Sequence, residues 1–250
     1  MARYFLEITY NGKGYAGFQV QKNAVTIQSE TEHALKVFFR QPIHLTGSSR
    51  TDTGVHALQN YFHFDFEGEI DSAIVYNLNA ILPPAIAIRR IIPMQPGAHA
   101  RFHAISREYR YYLYQTKNPF LHDRAYYFPY GLDLQAMHES AALIAGCHDF
   151  TSFSKRSTQA KNFLCSLNQS EWVKEGDCLV YRVRGNRFLR GMVRGLVGTM
   201  LQVGLGRISV SELKEIIENK DCTGADFSVP GHGLFLVAVN FPEGYFGDLN

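Results

Sequence analysis

Cysteine is scarce in this chain and badly spaced for chemistry. The four in 250 residues, Cys147, Cys165, Cys178 and Cys222, form no C-x-x-C pair, which argues against a zinc knuckle or redox dithiol and for free thiols. Long apolar runs are missing too. No segment approaches the roughly 18 consecutive apolar residues of a membrane span, and the opening MARYFLEITYNG lacks an apolar stretch followed by a cleavage site. The expectation is a cytoplasmic protein. Charge of one sign is also lacking, since 25 Lys and Arg face 23 Asp and Glu for a net +2. A net charge this small does not suggest a generic nucleic-acid coat, so any nucleic-acid site must come from local clustering.

Several cofactor and catalytic motifs are absent as well. There is no H-E-x-x-H, no P-loop and no G-x-S-x-G elbow. His99 and His103, four apart, have no nearby carboxylate in the sequence and read as ordinary surface or packing histidines rather than metal ligands. Gly12-Lys13-Gly14-Tyr15-Ala16-Gly17 does match G-x-G-x-x-G. A dinucleotide site, however, needs the last glycine to open a helix, and here Phe18 to Asn23 intervene before the first helical stripe. The segment reads as a glycine-rich turn.

What is present suits a folded chain. Hydrophobic residues make up 46% and charged residues 19%, enough for a real core in one large or two small domains. Period-two alternation marks Arg3 to Tyr10 and Tyr61 to Phe66 as half-buried strands, and aromatic or β-branched residues mark Tyr109 to Gln115, Leu179 to Arg184 and Leu234 to Asn240. Helical stripes run through Ile27, Thr31, Ala34, Leu35 and Phe38, and through Leu134, Met137, Ala141 and Ile144 up to Gly146. A third helix opens at Ser209 with Glu212 completing a capping box. Leu82-Pro83-Pro84 and Pro93 to Gly97 mark loops. Strands and helices do not alternate strictly, so an antiparallel α+β layer is preferred to a doubly wound parallel sheet. Strand and helix material recurs after Ser106, placing a division between residues 1–105 and 106–250.

Three clusters could carry chemistry. In Gly47-Ser48-Ser49-Arg50-Thr51-Asp52-Thr53-Gly54-Val55-His56-Ala57 one acid stands between an arginine and a glycine, in a short polar connection between a helical run and a strand. Such a loop can keep a carboxylate ionised for nucleophilic or basic work, and the same spacing also suits a turn with an incidental salt bridge. From Arg182 to Arg194 there are five arginines and no acid: Arg182 and Arg184 on one strand face, then Arg187, Arg190 and Arg194 on one face of a helix that Asn186 could cap. This stripe suits phosphate contacts or a solvated helix face. In Arg107-Glu108-Tyr109-Arg110-Tyr111-Tyr112-Leu113-Tyr114, tyrosines interleave with arginines, a pattern able to stack on an unstacked base or to pack a sheet face.

These residues resemble the tRNA pseudouridine synthase A family. The loop Arg50 to Ala57 is similar to the family's catalytic loop, and collinear matches extend along most of the chain. They include Tyr10-Asn11-Gly12 with Tyr15, Gly17 and Gln19, Leu78 to Pro83, His99 to Phe102, Asp149 to Phe153, Phe188 with Met192-Val193-Arg194, and Gly233 to Leu236. Ser49, Asn11 and Phe18 depart from the usual Gly, Asp and Trp; the first bears on loop geometry and the other two on RNA contacts. The resemblance implies an α+β fold whose central antiparallel sheet is formed by two similar halves, with helices packed on one side and the active-site cleft between the halves. It implies a homodimer that acts on tRNA in the anticodon stem-loop, around positions 38 to 40, with no cofactor and no metal. It also implies roles: Asp52 as nucleophile, Arg50 and Arg194 as its electrostatic partners, Tyr109 stacked on the target uracil, and Arg182, Arg184, Arg187 and Arg190 on RNA. An RNA-binding module and a hydrolase that releases the base stand as rival classes.

Overall fold

A computed structural model describes residues 1–156 and 160–247, which fall into two compact units. The first comprises residues 1–106 and the chain from Leu236 onward. It contains β1 (Ala2–Tyr10), α1 (Ile27–Phe39), β2 (Thr46–Gly47), β3 (His56–Phe66), α2 (Ile74–Ile81) and β4 (Ile86–Met94). β1 is the middle strand of an antiparallel trio, with Leu6 opposite Phe62 on β3 and opposite Ile91 on β4. The expectation that β1 is half-buried is corrected, because Tyr4, Phe5, Leu6, Glu7 and Ile8 are all buried. The Phe5 ring lies within aromatic contact of Phe241, Tyr245 and Phe246, with centroids 5.9, 6.0 and 6.1 Å away. The C-terminal aromatics thus cover the face that alternation assigns to water. α1 forms where the apolar stripe predicts it, and its capping box uses Thr26 with Ser29.

The second unit, Arg107 to Phe235, holds β5 (Ser106–Tyr114), which starts at the boundary, and β6 (Tyr126–Tyr127). It continues with α3 (Leu134–Ala145), β7 (Leu167–Glu175), β8 (Cys178–Gly185), α4 (Met192–Gly204) and α5 (Val210–Glu218). β8 pairs antiparallel with both β5 and β7, whereas β6 runs parallel to β5. The sheet is therefore mixed, which corrects the purely antiparallel expectation while leaving the class α+β. α4 is buried along almost its whole length, and Trp172 on β7 donates its indole N–H to the Met200 sulfur at 3.3 Å. Two of its glycines allow close approach: a Cβ at Gly198 would overlap the Asp226 carbonyl, and one at Gly195 would sit 2.7 Å from the Phe227 ring. Finally β9 (Leu234–Asn240) carries the chain back into the first unit, where Asn240 accepts from Ile105 N–H at 2.8 Å. Among the described residues no helix is long and apolar enough to cross a membrane.

Candidate active site

The acidic loop, residues 48–55, connects β2 to β3 rather than a helix to a strand as the sequence suggested; Gly47 pairs with Phe62 in this short ladder. Asp52 opens a turn closed by Val55 N–H donating to its carbonyl at 3.2 Å. Gly54 occupies the third position with φ +79°, a conformation that a type II turn requires and that glycine adopts without strain. Asp52 is half-buried while Arg50 and Thr53 on either side are exposed. The carboxylate therefore stands at the rim of the fold with its backbone fixed.

The glycine-rich turn holds that backbone. Phe18 N–H donates to Thr51 O at 3.1 Å, and Gly54 N–H points to Tyr15 O at 3.4 Å. Gly12 N–H donates to His56 Nδ1 at 3.1 Å. A Cβ at Gly12 would overlap the Val55 carbonyl, and one at Gly17, where φ is +101°, would sit 3.0 Å from Thr51 O. Gly12 and Gly17, the outer glycines of the G-x-G-x-x-G match, serve close backbone approach to the acidic loop, whereas a Cβ at Gly14 would meet open space. Phe18 is no RNA-facing residue: it is buried and stacked on Phe62, centroids 4.6 Å apart. Asn11 is exposed, and its side chain caps the turn by accepting from Lys13 N–H at 3.1 Å.

A polar network with little trace in the sequence lies beneath the loop. Tyr10 Oη and Thr51 Oγ1 share a 2.9 Å hydrogen bond, and Asn60 Nδ2 donates to Ser49 O at 2.8 Å and to Tyr10 Oη at 3.3 Å. Tyr10, Thr51 and Asn60 are all buried. A lone Asn inside an aromatic strand is the only sequence signal of this arrangement, since a buried amide needs partners.

The other expected residues lie in the second unit. Tyr109, Tyr111 and Leu113 share the buried face of β5. Tyr111 is a core residue, its hydroxyl donating to Pro230 O at 2.8 Å. Tyr109 meets Phe188 edge-on, centroids 4.9 Å apart. Arg194 occupies the first turn of α4, where Nε donates to Val229 O at 2.8 Å and an Nη to Phe227 O at 3.3 Å. The arginine stripe requires correction. Residues 186–191 are not helical, α4 begins only at Met192 behind Gly191 at φ +73°, and Asn186 accepts from Ser166 N–H instead of capping a helix. Arg187, Arg190 and Arg194 thus do not share a helical face. Nor is Arg182 uncompensated: it pairs with Glu175 at 2.9 Å across the β7–β8 hairpin, an acid far enough along the chain to escape a local charge count. Arg187 donates to Asn162 Oδ1 at 3.0 Å, Arg190 is exposed, and Arg184 is half-buried on β8.

A family model described as tRNA pseudouridine synthase matches residues 141–242. Relatives align over nearly the whole chain. "tRNA pseudouridine synthase A" of Parabacteroides distasonis is 45% identical over 98% of this chain and 98% of its own length. The proteins of the same name from Bacteroides thetaiotaomicron and Bacillus subtilis are each 41% identical, over 99% and 94% of this chain and 94% and 97% of their own. The chain belongs to the tRNA pseudouridine synthase A family.

Proposed function

We propose that this protein isomerises uridine to pseudouridine in the anticodon stem-loop of tRNA, around positions 38 to 40, with Asp52 as nucleophile. Family membership makes the chain a tRNA pseudouridine synthase, an isomerase. The observation that carries the aspartate's role is the rigid presentation of its loop, fixed by Phe18 N–H on Thr51 O and by Asn60 on Ser49 O. A nucleophile gains from such fixing because a misplacement of about 1 Å costs on the order of a hundredfold in rate.

The reaction breaks the bond from N1 to the sugar carbon, turns the base, and joins C5 to that same carbon. C5 gives its proton to solvent and N1 ends protonated, so atoms and electrons balance with no redox step. The proposal accordingly includes no cofactor and no metal. Tyr109 stacks on the flipped uracil, Arg50 and Arg194 stabilise the charged carboxylate, and Arg182, Arg184, Arg187 and Arg190 contact RNA. The protein works in the cytoplasm as a homodimer, and the two-halved architecture with its cleft belongs to the same reading.

Loss of the C5 hydrogen gives the test. With tRNA tritiated at uridine C5, the purified protein releases label to water with chelator present and nothing else added. Label that stays on tightly bound RNA would indicate a binding module, and free labelled uracil would indicate a hydrolase.

A further inference from the structure

We propose that Tyr10 and Asn60 are positioning residues for Asp52, acting through Thr51 and Ser49; this rests on the reading of Asp52 as nucleophile. Asn60 sits on β3 opposite Ile8, with no exposed surface. Its amide has one workable orientation. Oδ1 accepts from Tyr61 N–H at 2.9 Å, and a carbonyl partner at Ser49, 2.8 Å away, demands that Nδ2 donate. The second N–H of that amide reaches Tyr10 Oη at 3.3 Å. The phenol oxygen is thereby an acceptor toward Asn60, which turns its own proton toward Thr51 Oγ1 at 2.9 Å.

The consequence is a clamp on alternate residues. Ser49 is held by its carbonyl, and Thr51 by its hydroxyl from one side and its carbonyl from the other, where Phe18 N–H donates. Ser49 and Thr51 are buried, whereas Arg50 between them is exposed and Asp52 is half-buried. Anchoring 49 and 51 inward leaves Arg50 to solvent and Asp52 partly accessible. Through these bonds Tyr10 and Asn60 hold Thr51 and Ser49, and the loop backbone carries that restraint to Asp52. Such an effect belongs to the rate of the chemical step rather than to the affinity for RNA.

The test uses the full-length protein and unmodified tRNA transcript, comparing Tyr10→Phe, Thr51→Val, their double variant and Thr51→Ser. Tyr10→Phe keeps the ring and removes only the hydroxyl. We expect kcat to fall about tenfold, with KM within about twofold, because the loss falls on alignment. Thr51→Val gives the same loss, the double variant is no slower than the slower single, and Thr51→Ser, which retains the hydroxyl, recovers to within about threefold of wild type. A purely structural role would lower the melting temperature without the kcat-specific loss or the non-additivity. Wild-type kcat in Tyr10→Phe, a loss confined to KM, or multiplicative losses in the double variant would each overturn the proposal. Asp52→Asn is run alongside: if it turns over normally, the reading of Asp52 itself fails, a result distinct from an active-site clamp that does not matter.

Discussion

Gly12 and His56 are joined by a 3.1 Å hydrogen bond from the glycine N–H to the imidazole Nδ1, which fixes the neutral tautomer with its proton on Nε2. The bond ties the turn after β1 to the first residue of β3, just beyond the acidic loop. Because a Cβ at Gly12 would overlap the Val55 carbonyl, Gly12→Ala must move one of the two segments. Overpacking of this kind costs about 1–3 kcal/mol. The variant should show a lower urea midpoint and at least a roughly tenfold loss of pseudouridine formation, the order expected for a displaced nucleophile. A variant of wild-type stability and activity would mean that the turn does not support the loop.

Asp52→Asn preserves shape and removes the carboxylate proposed as nucleophile. Turnover should be abolished while tRNA affinity, measured by filter binding, stays within about tenfold of wild type. Pseudouridine formation at near wild-type rate would dismiss the aspartate's role. The amide nearly matches the carboxylate in size and Asp52 is only half-buried, so the substitution brings no large packing change, and an unaltered urea midpoint checks that the variant is folded.

The most legible parts of the sequence were those whose determinants are local. Ser209 and Glu212 announce α5, and the Ile27 to Phe38 stripe announces α1, because capping and periodicity act within a few residues. β9 was readable from its aromatic and aliphatic run. β4 was not, since Pro93 sits inside it: β4 pairs with β1 on one side, and the missing N–H costs little at such a position. β7 reads as polar because its interior is represented mainly by Trp172, with charged and amide side chains between. The acid, Arg50 and the glycines around Asp52 were visible in the sequence. The clamp beneath them was hidden because Tyr10, Thr51 and Asn60 come from β1, the acidic loop and β3, which only the fold brings together, and Glu175 meets Arg182 only across the β7–β8 hairpin.

His63 gives the fold a pH dependence with a defined sign. Burial first, then the neighbouring His99 and Arg3, push its pKa down to about 4 against the opposing pull of Asp65. Its ring lies 4.4 Å from His99, and Nδ1 accepts from Ala100 N–H at 3.3 Å. Unfolding returns the group to an ordinary value of 6.5, so between 6.5 and about 4 the unfolded chain binds more protons. Stability from this group is full above that window and declines as pH falls through it, by roughly 1–2 kcal/mol after allowing for solvent screening. His63→Gln, which keeps an acceptor for Ala100, should flatten the plot of urea midpoint against pH over this range. Equal slopes in the two proteins would remove His63 as the cause.

The arginines of the second unit should differ in their effect on salt-dependent RNA binding, and their surroundings say which way. Each phosphate that is no longer neutralised lowers the slope of log K against log salt by about 0.9 on duplex and about 0.7 on single strands. Arg190 is exposed in the turn before α4, and Arg187 beside it donates to the neutral Asn162. Their charge is available to phosphate, so Arg190→Ala and Arg187→Ala should each reduce the slope by close to the value for a single phosphate. Arg182 is bound to Glu175 at 2.9 Å, and Arg110 approaches the same carboxylate at 3.9 Å. Arg182 is already engaged by Glu175, and Arg110 is held chiefly by Glu108 at 3.0 Å, so the charge of Arg182 is less available to phosphate than that of Arg190. Arg182→Ala should shift the slope by less than half as much as Arg190→Ala. If Arg182→Ala instead produces the full change while Arg187→Ala and Arg190→Ala produce none, the phosphate path follows the strand and not the turn, and the exposed arginines are a solvated surface.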